Sequence, residues 1–234
     1  MPEILTSTNL DGLTIVQENQ AVVSVDVRSI LPDRWGAPVR KVIESSGKDV
    51  SFRGGFSTSR ADESFITAYR IVDGEKIACS LPWLIELYRG PFRAIVSKIV
   101  GEVEPDNNKK YGVNINTLSV DTQIGDGHVF AYEPHVDRNH ITGMLAASTV
   151  NEGDGGELVL AYPDDWRPPM VTRIKTGRLY VFAGDIHEHA VARLNPEGRV
   201  RTRITIPMDY VYKGSVVERP EDMKVIFGNG NGKH

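Results

Sequence analysis

Tyr132-Glu133-Pro134-His135-Val136-Asp137, read with Phe182-Ala183-Gly184-Asp185-Ile186-His187-Glu188-His189-Ala190-Val191 further along, is the pair of stretches on which the reading of this chain turns. A His-x-Asp pair and a distant histidine supply two imidazoles and one carboxylate. Such a donor set holds a non-haem Fe(II) on one face and leaves the other positions open for oxygen and a co-substrate. Side chains at i and i+2 of a strand share a face, so His135 and Asp137 aim at one point if the segment is extended. Pro134 favours extension by biasing Glu133 to the β region. Alone, His-x-Asp is a common surface pair. Here a further histidine follows well downstream, at the end of a β-like run that opens at Gly177 and carries Phe182.

The surroundings of both motifs read as short strands. Residues 113–120, 141–149, 157–162, 177–182, 190–194 and 200–206 are β-like, with Gly, Pro and Asp between them, the texture of a sandwich or barrel. Upstream, 13–16 and 21–27 look like strands, and Val39, Val42 and Ile43 fall at helical spacing. From Ser80, read as an N-cap, a helix over 81–88 places Trp83, Leu84 and Leu87 on one stripe. Gly90-Pro91 is expected to break it, and a second helix to about Val100 turns Phe92, Ile95, Val96 and Ile99 inward. The fold expected is mainly β with flanking α: a double-stranded β-helix, a cupin-like jelly roll, with helices packed on one sheet.

Composition narrows the class. At 234 residues, 40% of them hydrophobic and 25% charged, the chain fits one domain over 1–234. The formal net charge of −4 supplies no global field for nucleic acid. No apolar run is long enough to span a bilayer, and Met1-Pro2-Glu3-Ile4 lacks a basic-then-apolar leader pattern. A single cysteine, Cys79, excludes an intramolecular disulfide and fits a reducing compartment, so a cytoplasmic location is expected. The stretch 218–234 ends in Gly228-Asn229-Gly230-Asn231-Gly232-Lys233-His234 and reads as a flexible tail.

These motifs form an ordered set with Thr142-Gly143-Met144-Leu145, Gly155-Gly156-Glu157-Leu158-Val159-Leu160, Gly177-x-Leu179-x-x-Phe182, His189-x-Val191 and a downstream arginine. Over roughly residues 81–210 the set resembles the prolyl-hydroxylase-like branch of the 2-oxoglutarate/Fe(II)-dependent oxygenases. Residues 1–80 match no pattern; in that family this region shapes the substrate pocket. The resemblance implies Fe(II) held by His135, Asp137 and His189, with 2-oxoglutarate as co-substrate and O2 as oxidant. It favours His189 over His187, because the family's second metal histidine is followed by x-Val, as in His189-Ala190-Val191. A cupin-type site expects Glu four residues after the second histidine, where this chain has Arg193.

The far carboxylate of 2-oxoglutarate needs a permanently charged, bidentate partner, a role suited to arginine. Arg199, Arg201 and Arg203 share one parity. A three-residue turn at Pro196-Glu197-Gly198 would set Arg193 opposite Arg201, and the family places its anchor opposite that position. Arg201 is therefore the expected anchor and Arg203 the second choice. Asn116, with Asn114 on the same face of its strand, is a further candidate contact. The reaction implied by default is hydroxylation of an unactivated C–H with decarboxylation of 2-oxoglutarate to succinate; desaturation, epoxidation and ring formation are open to the same oxidant. Asp137 disfavours halogenation, which in relatives replaces the carboxylate ligand. The expected substrate is a small molecule, a free amino acid or natural-product intermediate. Peptidyl (prolyl-type) hydroxylation and a non-catalytic, cupin-like metal or small-molecule binder are the alternatives. Nothing in the sequence points to an oligomeric state.

Overall fold

The strand Thr202–Tyr212 has two buried faces. Ile204, Ile206, Met208 and Tyr210 project to one side into a helix-covered core, whereas Arg203 and Thr205 project to the other. A strand buried on both sides must lie inside a sandwich that also carries helices. The structure, a computed structural model, describes residues 8–10, 12–53, 66–106, 112–121, 130–161, 168–215 and 217. The tail expected over 218–234 lies outside these residues.

In chain order the strands are β1 Thr8–Leu10, β2 Leu13–Gln17, β3 Val23–Asp26, β4 Lys48–Arg53, β5 Ile66–Val72, β6 Val103–Pro105 and β7 Ile115–Ser119. They continue with β8 Phe130–His135, β9 Ile141–Ala146, β10 Leu158–Ala161, β11 Met170–Thr172, β12 Arg178–Ala183, β13 Glu188–Ala192 and β14 Thr202–Tyr212. Helices α1 Gly36–Ser46, α2 Gly74–Ser80, α3 Pro82–Leu87 and α4 Arg93–Val100 complete the set. The major sheet runs β1-β2-β3-β12-β9-β14-β7-β5-β4, with β6 also paired to β14. The minor sheet runs β11-β10-β13-β8. This is the double-stranded β-helix expected from the sequence.

Two apolar layers hold it together. On the outer face of the major sheet, Phe92, Ile95 and Val96 from the helices meet Ile141, Leu145, Leu179, Ile206 and Tyr210. Fully burying a Phe or Ile side chain contributes about 1.5–3 kcal/mol, so this helical layer is a major source of stability. Between the sheets, Met144, Tyr180 and Phe182 of the major sheet pack on Leu158 and Leu160 of the minor one. Tyr69, Ile71 and Leu118 do the same against Ala131 and Val191.

Three local expectations change. Gly90-Pro91 does not break the helix: α3 and α4 are joined by one π-helical turn, Tyr88–Phe92. The wider turn accommodates a residue that has no amide hydrogen to donate. Ser80 ends α2 instead of capping the next helix, which begins on Pro82. Most consequential, 193–201 is not a hairpin. The chain leaves the minor sheet after β13 and enters the major sheet at β14. The carboxylate of buried Asp154 fixes this crossing by accepting from the amides of Arg199 at 2.8 Å and Val200 at 3.4 Å. Gly155 (φ +71°) lies so close that a Cβ there would sit 1.9 Å from the Arg193 carbonyl oxygen. Arg193 and Arg201 are consequently not cross-strand partners.

Candidate metal centre

His135 is the last residue of β8 and lies directly opposite His189 on β13. Paired residues of adjacent strands share a face, and the two imidazole rings approach to 4.2 Å between centroids at 51°. Asp137 arrives by another route. It lies beyond the end of β8, so alternation along a strand does not orient it. Its amide donates to the Gly184 carbonyl at 2.8 Å, and its Oδ2 accepts from the hydroxyl of Thr142 on β9. Contacts from the major-sheet side thus hold the carboxylate at the two histidines of the minor sheet.

The donor atoms converge. His135 Nε2 is 3.6 Å from Asp137 Oδ1, and His189 Nε2 is 3.4 Å from Asp137 Oδ2. One ligand atom from each of the three residues lies within 4.8 Å of the others. Ligands about 2.1 Å from an ion and at right angles stand about 3 Å apart, so only small adjustments separate this set from a facial triad. His189 Nδ1 donates to the His187 carbonyl oxygen at 3.0 Å, which fixes the ring with Nε2 toward the carboxylate. Phe182 packs edge-on against His189, with centroids 5.0 Å apart.

The charges agree with the geometry. Burial disfavours the ionised carboxylate of Asp137, but His189 and His135 outweigh it and hold the group well below its ordinary range. Burial likewise opposes a proton on His189, yet the Asp137 charge and hydrogen bond raise its affinity for one. His187 is buried beside them, and desolvation lowers its proton affinity. It does not belong to the convergent group.

The arginines separate sharply. Arg201 is surface-exposed, with its guanidinium on the Pro196 carbonyl at 2.9 Å and Asp121 at 3.0 Å. Arg199 is exposed as well. Arg203 is 3% exposed and lies between the sheets. Its Nε donates to Gly156 O at 2.8 Å, Nη1 to Thr205 Oγ1 at 3.3 Å, and Nη2 lies 3.8 Å from Met144 Sδ. Among the described residues no carboxylate forms an ion pair with it. Desolvation lowers its pKa to about 10, which leaves it charged at neutral pH. Asn116 faces the same interior: in the β7–β14 ladder it stands opposite Thr205, with Leu118 opposite Arg203. Its Oδ1 is buried without a hydrogen-bond partner.

Sequence reasoning assigned no role to Thr142, Gly184, Gly156 or Thr205. A Cβ on Gly184 would lie 2.5 Å from Thr142 Oγ1 and 2.8 Å from Asp137 Oδ2, so this residue leaves space for the carboxylate cradle. Gly156 (φ +79°) both accepts from Arg203 and admits its stem, since a Cβ there would sit 3.3 Å from Arg203 Cδ. Both glycines stand in motifs already singled out. Their tasks depend on neighbours distant in sequence.

No sequence-family model matches the chain, and no curated protein sequence does. Solved structures do resemble it. An oxidoreductase of the 2OG-Fe(II) oxygenase family from Burkholderia pseudomallei superposes with a TM-score of 0.58 at 14% identity, over 86% of this chain and 89% of its own. The epimerase SnoN, in complex with Fe3+, alpha ketoglutarate and nogalamycin RO, gives a TM-score of 0.58 at 12% identity, over 92% and 88%. A prolyl 4-hydroxylase structure from Phytophthora capsici gives 0.50 at 14%, over 90% of this chain and 68% of that one. At such identities the likeness speaks to architecture: this chain has the double-stranded β-helix fold that these oxygenases share.

Proposed function

We propose that the protein is an Fe(II)- and 2-oxoglutarate-dependent oxygenase that hydroxylates an unactivated C–H bond of a small molecule. The observation that carries this reading is the presence, within one β-helix, of a His135–Asp137–His189 donor set and a buried arginine, Arg203, with which no carboxylate among the described residues forms an ion pair. A guanidinium that stays charged in a buried interior and bonds a carbonyl and a hydroxyl there fits an incoming carboxylate. Fe(II), 2-oxoglutarate and O2 bound there would supply the oxidising power for hydroxylation, with 2-oxoglutarate converted to succinate.

The chain's own residues hold and orient. His135 and His189 offer Nε2, Asp137 offers its carboxylate, and Thr142 keeps that carboxylate turned inward. Arg203 replaces Arg201 as the proposed co-substrate anchor, with Thr205 and Asn116 beside it. Thr142, next to the metal set, and Met144, which touches Arg203, lie two residues apart on β9. That step spans about 7 Å, a distance a five-carbon diacid can bridge between metal and anchor. Phe182, Leu160 and Leu158 keep the space beneath the histidines apolar.

The region before residue 80 contributes to the same wall, in line with a role in shaping the substrate pocket. Tyr69 of β5 stacks on Tyr132 at 5.4 Å, and Tyr132 on His135 at 4.8 Å. A free amino acid or natural-product intermediate is the favoured substrate, and the likeness to SnoN, an enzyme of nogalamycin biosynthesis, supports it. Peptidyl substrates are the second reading, supported by the likeness to a prolyl 4-hydroxylase. A cytoplasmic setting fits the one exposed cysteine, Cys79. Among the described residues no helix is long and apolar enough to cross a membrane.

Anaerobic titration with Fe(II) and 2-oxoglutarate tests the assignment. The expected result is a visible metal-to-ligand charge-transfer band; its absence with folded protein overturns the reading. Succinate release across panels of amino acids, natural-product intermediates and prolyl peptides then separates the substrate classes. A non-catalytic binder would bind the metal and release no succinate with any of them.

A further inference from the structure

The inward face of β14 carries a base near one end and an acid near the other. Met208 and Tyr210 belong to the helix-covered core, so Arg203, Thr205, Pro207 and Asp209, which alternate with them, face the space between the sheets. Asp209 is buried and lies six residues beyond Arg203, about 20 Å along an extended strand. It stands opposite Thr142 of β9, and Thr142 stands opposite Phe182 of β12. The row that passes the candidate metal centre therefore reads Phe182, Thr142, Asp209.

The backbone makes Asp209 and Thr142 close neighbours. The Asp209 amide donates to the Gly112 carbonyl at 2.8 Å, and its carbonyl accepts from the Asp106 amide at 3.0 Å and the Tyr88 hydroxyl at 2.6 Å. Both groups point away from β9. The pair with Thr142 is thus of the non-hydrogen-bonded kind, in which Cα atoms stand about 4.5 Å apart and side chains approach most closely. The Thr142 hydroxyl gives its proton to Asp137 Oδ2 and accepts from Asn139 Nδ2 at 3.0 Å. It therefore positions the carboxylate of Asp137 and not that of Asp209. Asp209 stands outside the convergent donor set, which among the described residues is His135, Asp137 and His189. A second inward carboxylate lies beside the centre and takes no part in holding its ion.

We propose that Asp209 receives the ammonium group of the substrate, which makes the substrate a small primary amine. The inference rests on the oxygenase reading and narrows its substrate class. The carbon to be oxidised must lie beside the metal centre, and Asp209, one strand across from Thr142, is placed to hold a group attached near that carbon. A carboxylate–ammonium contact is a charge-assisted hydrogen bond, stronger than a neutral one and directional enough to fix which C–H faces the centre. The two ends of β14 then sort the two ligands by charge. Arg203 suits the anionic co-substrate, whereas Asp209 attracts a cation and repels a second dicarboxylate from the substrate position.

Three probes of one size, n-butylamine, n-butanol and butyrate, test it on the full-length protein loaded with Mn(II) and 2-oxoglutarate. Nuclear relaxation of the probe protons, compared with the Zn(II)-loaded protein, reads both binding and nearness to the metal. Butylamine is expected to bind in the millimolar range with enhanced relaxation by Mn(II), and butanol and butyrate more weakly by about tenfold or more. Asp209→Asn keeps the shape and removes the charge; it should weaken butylamine binding by about tenfold or more and shift Mn(II) affinity by less than about threefold. The inference is overturned if butanol or butyrate binds as well as butylamine, if Asp209→Asn binds butylamine as the wild type does, or if bound butylamine shows no Mn(II) enhancement. Should Asp209→Asn fail to fold, the order of the three probes on the wild type decides. Folded wild type that binds no Mn(II) would overturn the oxygenase reading instead; loss of butylamine binding from metal-free Asp209→Asn would then still assign the cation site to Asp209.

Discussion

Asp137 and Gly184 hold each other in place. The Asp137 amide donates to the Gly184 carbonyl at 2.8 Å, and a methyl group on Gly184 would lie 2.8 Å from Asp137 Oδ2. The turn between β12 and β13 therefore acts as a template for a carboxylate that no strand register positions. Gly184 in turn is anchored through its own amide, which donates to the His140 carbonyl at 3.0 Å.

Gly184→Ala should test this template. The added methyl must displace Thr142 Oγ1 or the Asp137 carboxylate, and overpacking of this kind costs about 1–3 kcal/mol. Metal affinity, read by titration with Mn(II) or Co(II), is expected to fall by about tenfold or more while circular dichroism remains that of the folded protein. Unchanged affinity would show that the cradle adjusts freely.

The two neighbouring histidines should behave differently. His189→Ala removes a convergent donor and is expected to abolish both metal binding and succinate formation. His187→Ala should retain most of both, because the contact His187 makes to His189 uses its backbone carbonyl. Asp137→Ala should match His189→Ala, since it removes the one carboxylate of the set. Metal retained by His189→Ala but lost by His187→Ala would reassign the ligand.

Arg203→Ala should weaken 2-oxoglutarate binding strongly. Losing one partner of a desolvated charge pair costs about 2–5 kcal/mol, roughly 30-fold to several-thousand-fold in affinity. Metal affinity should change little. Arg201→Ala should shift the 2-oxoglutarate affinity by less than about threefold, because its ion pair with Asp121 is exposed. A large effect at Arg201 instead would place the anchor outside the β-helix interior.

Metal binding should strengthen as pH rises. The metal competes with a proton on His189, whose proton affinity in the fold is raised above the ordinary 6.5. Apparent affinity is expected to climb through that raised value and then level off. Asp137 adds no step near neutrality, because its carboxyl is held well below 3.8. In the metal-free protein the signs oppose each other. The contribution of Asp137 is present above about 3.8 and lost in acid; that of His189 is present below about 6.5 and lost as pH rises through its folded value. The rise in melting temperature on adding Mn(II) should therefore be larger at about pH 8 than at about pH 6. A pH-independent shift would exclude His189 as the competing group.

The sequence by itself determined the fold class and the residue types of the candidate centre. Alternating apolar residues in short runs require a two-sided β structure, and the apolar stripe of Phe92, Ile95 and Val96 requires a partner surface, which the major sheet provides. His135 and His189 could be singled out because their neighbours carry the pattern. Their adjacency could not, because it depends on β8 pairing with β13 across the minor sheet. Asp137 could be named from the His-x-Asp pair, but what holds its carboxylate, the Gly184 turn and Thr142, could not. The choice among Arg199, Arg201 and Arg203 was beyond sequence altogether, since all three share one parity. The proposal of Arg203 rests on the chain crossing between sheets at 193–201, a path fixed by Asp154 and Gly155. That crossing buries Arg203 and leaves Arg201 at the surface. Local periodicity records which face a residue takes within its own element; which elements become neighbours is set by packing between segments far apart in the chain.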